Sequence, residues 1–212
     1  MSLQSLMEGK RRLLISLIES KIPAFSLESK EDSGLFCVLS KIVFWNKRLN
    51  TEFVTTVYPK VYVPHMPWKE DDHFGAFSVL AHEYIHLKDR ERLKFFFNLL
   101  YLSPQVFSLL SLFSLVHSSW WLLCLLFLMP IPSPGRAWLE YRGYRCNMAI
   151  WYWLGDERID FDWIVGQFVG SSYYWMFPFP GLLTKMLERD YQRLEVGDVP
   201  DELLEIQNLL SE

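Results

Sequence analysis

His82-Glu83-Tyr84-Ile85-His86 is an HExxH motif, and its spacing carries a specific chemistry. Residues i and i+4 of a helix lie one above the other on the same face. His82 and His86 can therefore offer two imidazole nitrogens to one Zn²⁺, with Glu83 beside them to take a proton from a water at the metal. A catalytic zinc takes three protein ligands and keeps one position for water. The stretch after His86, LKDRER, lacks the Gly and His of the extended HExxHxxGxxH form, so the third ligand comes from elsewhere. A glutamate on a later helix is the remaining common solution. Glu140, in Arg136-Ala137-Trp138-Leu139-Glu140, is the expected ligand, and Glu157 in the turn-like Gly155-Asp156-Glu157 is the second candidate. Tyr144 follows Glu140 by one helical turn and shares its face, which makes it a candidate oxyanion stabiliser.

These side chains need rigid carriers. The pattern predicts one long helix from about Asp71 to Leu102, with the motif in its middle. The acidic cluster Glu70-Asp71-Asp72 suits its N-terminus, and Phe74, Phe77, Ala81, Ile85 and Leu93 supply its buried face. A second helix is expected from Gly135-Arg136 to about Leu154. Upstream, apolar residues from Leu3 to Ile18 recur at helical spacing, forming an amphipathic helix that ends before Pro23. Between Leu35 and Pro64 the runs LFCVLSKIVFW, TEFVTTVY and KVYVP are rich in Val, Ile, Thr and aromatics. They read as a small, mostly antiparallel sheet. Downstream come an aromatic turn region, SSYYWMFPFP, a helix near 181–195 and a short helix from about Pro200.

No Asp, Glu, Lys or Arg occurs from Phe95 to Pro134. The apolar core of this stretch, residues 95–131, constrains the zinc ligands, because they flank it. A single membrane crossing would put His86 and Glu140 on opposite sides of a bilayer. The run must therefore turn back, near Ser103-Pro104 or His117-Ser119. As α-helix its length is about 55 Å, barely two crossings of roughly 30 Å each. A compact hairpin is expected, either in lipid or packed within a protein assembly. Basic residues flank both ends, Lys88 to Lys94 before and Arg136 to Arg145 after, which suits a cytoplasmic face. His117 reads as a turn or packing residue, and His65 and His73 as surface residues.

Half of the residues are hydrophobic and 17% aromatic, rich enough to suggest apolar surface given to a membrane or large assembly. The net charge of -4 gives no reason to expect nucleic acid as a partner. Cys37, Cys124 and Cys146 are too few and scattered for a disulfide framework or a CxxC site. The N-terminal stretch shows no secretory signal pattern.

His82-Glu83-x-x-His86, the apolar hairpin after that helix and the glutamate-bearing helix beyond it resemble the gluzincin metallopeptidases. The nearest plan is the M48 type, the membrane-embedded HtpX and CAAX-protease kind. The chain also has a weaker resemblance to metallopeptidase-like proteins encoded by tailed bacteriophages. The resemblance implies that His82, His86 and Glu140 bind zinc and that Glu83 is the general base. It also implies that Lys60-Val61-Tyr62-Val63-Pro64 is an edge strand beside the active-site helix, where a substrate strand would add. The expectation is a single α+β zincin-like domain over residues 1–212, with residues 95–131 as an apolar hairpin within it. Its expected function is zinc-dependent hydrolysis of a peptide or protein substrate. The competing expectation is a structural or interaction subunit of a virion or membrane complex. Lipid or protein partners would surround residues 95–131. The protein would be membrane-associated with its zinc on the cytoplasmic side, or else a component of a phage particle.

Overall fold

The computed structural model describes residues 3–42, 51–129, 131–155, 159–171 and 175–211. The described residues are mostly helical, with one small three-stranded mixed sheet, an α+β arrangement. The chain divides into two compact units, residues 1–88 with 200–212, and residues 89–199.

In the first unit, α1 (Leu3–Lys21) buries Met7, Leu14 and Ile18, the helical spacing read from the sequence. Each such side chain removed from water contributes about 1.5–3 kcal/mol before entropy is counted. The helix packs against α8 (Leu204–Ser211), and buried Lys10 donates from Nζ to the Leu209 carbonyl at 2.9 Å. That contact satisfies a last-turn carbonyl with a cation, which also suits the negative end of the helix dipole.

The sheet departs from the expectation. Its strands are β1 (Ser26–Ser29), β2 (Thr55–Val57) and β3 (Lys60–Val63), in the order β1-β3-β2. β3 pairs parallel with β1, Ser26 opposite Lys60 and Ser29 opposite Val63, and antiparallel with β2, Thr56 opposite Val61. The sheet is thus mixed, and Lys60–Val63 is its central strand rather than an edge. Both sides of β3 are already hydrogen-bonded, which leaves no room for a substrate strand there. The LFCVLSKI run is helical: α2 spans Gly34–Ile42. Its apolar residues fall at 35, 36, 38, 39 and 42, a helical spacing that outweighs their β propensity. Trp45 and the Asn46–Asn50 punctuation lie outside the described residues.

α3 spans His73–Leu93 and crosses the division between the units at Lys88/Asp89. Asp72 precedes it and accepts from the Gly75 N–H at 2.8 Å, an N-cap bond as the acidic cluster suggested. Phe77, Leu80, Ala81, Ile85 and Leu87 are all fully buried. The helix does not continue to Leu102. Lys94 adopts φ 52, a left-handed conformation that stops the helical ladder, and a separate helix α4 runs Phe95–Leu102.

In the second unit, α4 is followed by two 3₁₀ helices, Gln105–Leu115 and Ser119–Leu128, which pack on each other as a hairpin. The turn falls at Val116–Ser118; Ser103-Pro104 instead makes a 91° bend between α4 and the first 3₁₀ helix. No single described helix is long and apolar enough to cross a membrane. α5 (Pro134–Trp153) has Pro at its start and Ser133 as its cap, accepting from the Arg136 N–H. α6 (Phe161–Val169) lies where no element was expected, capped by Asp160 through the Trp163 N–H at 2.8 Å. α7 (Pro180–Glu195) packs against α5 and α6. Buried Asp190 on α7 accepts from the Tyr141 hydroxyl at 2.8 Å and pairs with Arg145 at 3.2 Å. The core between these helices includes Leu139, Met148, Ile150, Phe168, Leu183 and Leu187.

Candidate metal centre

The helical spacing of the motif places the two imidazoles together on α3. Their Nε2 atoms are 3.1 Å apart and their ring centroids 4.8 Å apart. Two nitrogens bound to one tetrahedral zinc at about 2.05 Å stand roughly 3.3 Å apart. The pair is therefore spaced as two ligands of one ion require. Glu140, the expected third ligand, is on α5 of the second unit. His82 and His86 are buried in the first unit, and Glu140 is buried in the second. Two neutral imidazoles and a carboxylate form an N,N,O donor set that suits Zn²⁺. Burying an ionised carboxylate is costly unless it is paired, and a divalent cation would add such a partner.

The surroundings of Glu140 are built within the second unit. The Tyr101 hydroxyl, from the end of α4, donates to Glu140 Oε1 at 2.7 Å. The Arg136 guanidinium donates from Nε to the Tyr101 carbonyl at 2.9 Å and lies over the Tyr101 ring, 5.3 Å from its centroid. Gly135 allows this closeness: a Cβ there would stand 2.7 Å from the Leu100 carbonyl oxygen. Two residues beyond Glu140, Arg142 donates from Nε to both carboxylate oxygens of Asp89, at 3.1 and 2.9 Å. Asp89 lies one turn past His86 on α3. Asp89 is buried and Arg142 half-buried, and within the second unit the pair joins the last turn of α3 to α5.

Glu83 faces the sheet. The Thr56 hydroxyl on β2 donates to Glu83 Oε2 at 2.6 Å. Lys30, at the end of β1, is buried and donates to the Phe53 carbonyl at 2.8 Å and to Thr55 Oγ1 at 2.7 Å. Its ammonium also lies 4.7 Å from the centre of the Phe36 ring. Burial pushes the Lys30 amine down to about 8, and attraction to the Glu83 carboxylate only partly opposes this.

The structure thus brings together His82 and His86, with Glu83 on the same helix, and Glu140 is buried in the other unit. Tyr144 is buried, and its ring packs against Trp163 and Phe168 at centroid distances of 5.8 and 5.5 Å. Glu157 lies outside the described residues, as do Tyr173 and Tyr174 of the aromatic segment. His65 and His117 are exposed. Sequence reasoning missed Thr56, Lys30 and Tyr101. Tyr101 did leave a trace, as the only tyrosine in the uncharged run Phe95–Pro134. No protein-family model, curated protein or solved structure matches the chain.

Proposed function

We propose that the protein is a zinc-dependent hydrolase of peptide bonds, built on a zincin-like plan. The observation that carries this reading is the buried His82 and His86 pair, spaced as ligands of one ion on α3, with Glu83 beside it on the same helix. His82, His86 and Glu140 would hold the ion, leaving a fourth position to the reactants. Zinc in such a site polarises the scissile carbonyl and acidifies water.

The chain's own residues do the rest. Glu83 accepts a proton from the attacking water and passes it to the departing amide nitrogen. The Thr56 hydroxyl fixes one Glu83 oxygen, leaving the other to move the proton. The Lys30 ammonium adds a positive field on the same side. β2 is an edge of the described sheet and carries Thr56, so its outer edge is the place for a peptide backbone to pair.

The test is metal analysis of the purified full chain, followed by digestion of a fluorescent casein. The expected result is about one zinc per chain, strongly reduced in Glu140→Ala. Glu83→Gln should keep the metal and lose hydrolysis by roughly a hundredfold or more. Absence of zinc after reconstitution refutes the site. Zinc without hydrolysis in the unaltered protein refutes the enzyme and favours a structural role.

A further inference from the structure

We propose that the hairpin Gln105–Leu128 enters a lipid bilayer from one side and returns without crossing it. The inference stands apart from the metal site. A 3₁₀ helix has three residues per turn, so every third residue lies on one face. In the first helix Gln105, Ser108, Ser111 and Ser114 form one such row and are buried or half-buried. In the second, Ser118, Trp121, Cys124 and Phe127 form the matching half-buried row. The small serines let the two helices pack closely, and Phe113 meets Trp121 with ring centroids 5.4 Å apart.

The other two rows of each helix are apolar and outward. Leu112 is 61% exposed, Leu115 81%, Val116 83% and Trp120 77%, with Leu123 and Leu126 above half. A protein partner covers one side of a hairpin. Apolar surface on two-thirds of the circumference of both helices asks for an apolar medium all round. The 3₁₀ ladder satisfies most backbone polar groups internally, as lipid requires.

Neither 3₁₀ helix is long enough to cross alone, and α4 with the first of them, long enough together, is bent by 91°. At about 2.0 Å per residue, helices of 11 and 10 residues reach about 22 and 20 Å, against a hydrocarbon core of about 30 Å. The base has the character of an interface. The 91° bend at Ser103-Pro104 turns α4 across the hairpin axis. Phe95 and Phe96 are 69% and 64% exposed there, next to exposed Arg92 and Lys94. Aromatics beside cations are what a headgroup layer accepts. The base is also pinned: the Ser133 hydroxyl donates to the Ser103 carbonyl, and Arg136 donates to Gln105 Oε1 at 3.3 Å.

The test uses the full chain, purified in detergent and mixed with vesicles of phosphatidylcholine, with or without phosphatidylglycerol. An environment-sensitive fluorophore sits on Leu115→Cys, in a chain with Cys37, Cys124 and Cys146 replaced by alanine. The expected result is flotation with both vesicle types, in high salt as well, and a fluorophore shielded from aqueous quenchers added on either side. Replacing Leu109, Leu112, Leu123 and Leu126 by serine should reduce the floated fraction roughly tenfold or more. Flotation only with the anionic vesicles, and only in low salt, means surface adsorption and overturns the proposal. So does a quencher on the far side that reaches Leu115→Cys, which means a crossing. A detergent-free, lipid-free dimer with the fluorophore already shielded means that a second copy covers the hairpin, and overturns it too.

Discussion

Replacing Lys30 by methionine tests the electrostatics beside Glu83. The folded-state amine lies near 8, against 10.5 for the ordinary group. A lysine with a depressed folded value costs stability while it must be charged. The penalty is full below pH 8 and relieved as pH rises toward 10.5. The gap of 2.5 corresponds to roughly 3 kcal/mol at neutral pH. From pH 7 to pH 9.5, about 2 kcal/mol of it is recovered. Methionine keeps the chain length against Phe36 but removes the charge and the bonds to the Phe53 carbonyl and Thr55 Oγ1. Those losses cost about 1–3 kcal/mol, so Lys30→Met should be near neutral in stability at pH 7. Urea unfolding at both pH values measures the difference. The unaltered protein should gain about 2 kcal/mol more than the variant on going to pH 9.5. Equal changes in both proteins would mean that Lys30 titrates normally, refuting the argument from burial.

Tyr101→Phe should weaken zinc binding roughly tenfold to a hundredfold by removing the hydroxyl that donates to Glu140 Oε1; competition with a fluorescent chelator measures this, and an unchanged affinity rejects the positioning role. Asp89→Asn removes the charge that faces half-buried Arg142 and should cost about 1.5–3 kcal/mol in urea unfolding. A loss below about 1 kcal/mol would mean that the pair is solvated.

The histidine pair was legible because it is local: four residues of helix fix both nitrogens whatever surrounds them. Glu140 was chosen by the ligand count and by the requirement that the apolar run turn back. Thr56 and Lys30 were not legible, because strands join them to Glu83 only through tertiary pairing. The Leu35–Ile42 run was misread because residue type was weighed above spacing. The serines at 108, 111 and 114 carried a period of three that an expectation of α-helix passed over. Tyr144 was chosen because it shares a face with Glu140, and its ring packs against Trp163 and Phe168 of α6.

The two units differ in how they are drawn from the chain, and this sets an order in time. Residues 89–199 are continuous, so they can gather as soon as they leave the ribosome. The other unit waits. α1 docks on α8, and Glu205 of α8 accepts from the Tyr84 hydroxyl and from Lys88 on the histidine helix. Residues 200–211 are made more than a hundred residues after His86. The oldest part of the nascent chain is thus the last to close, and the helix bearing His82 and His86 gains its full support only then.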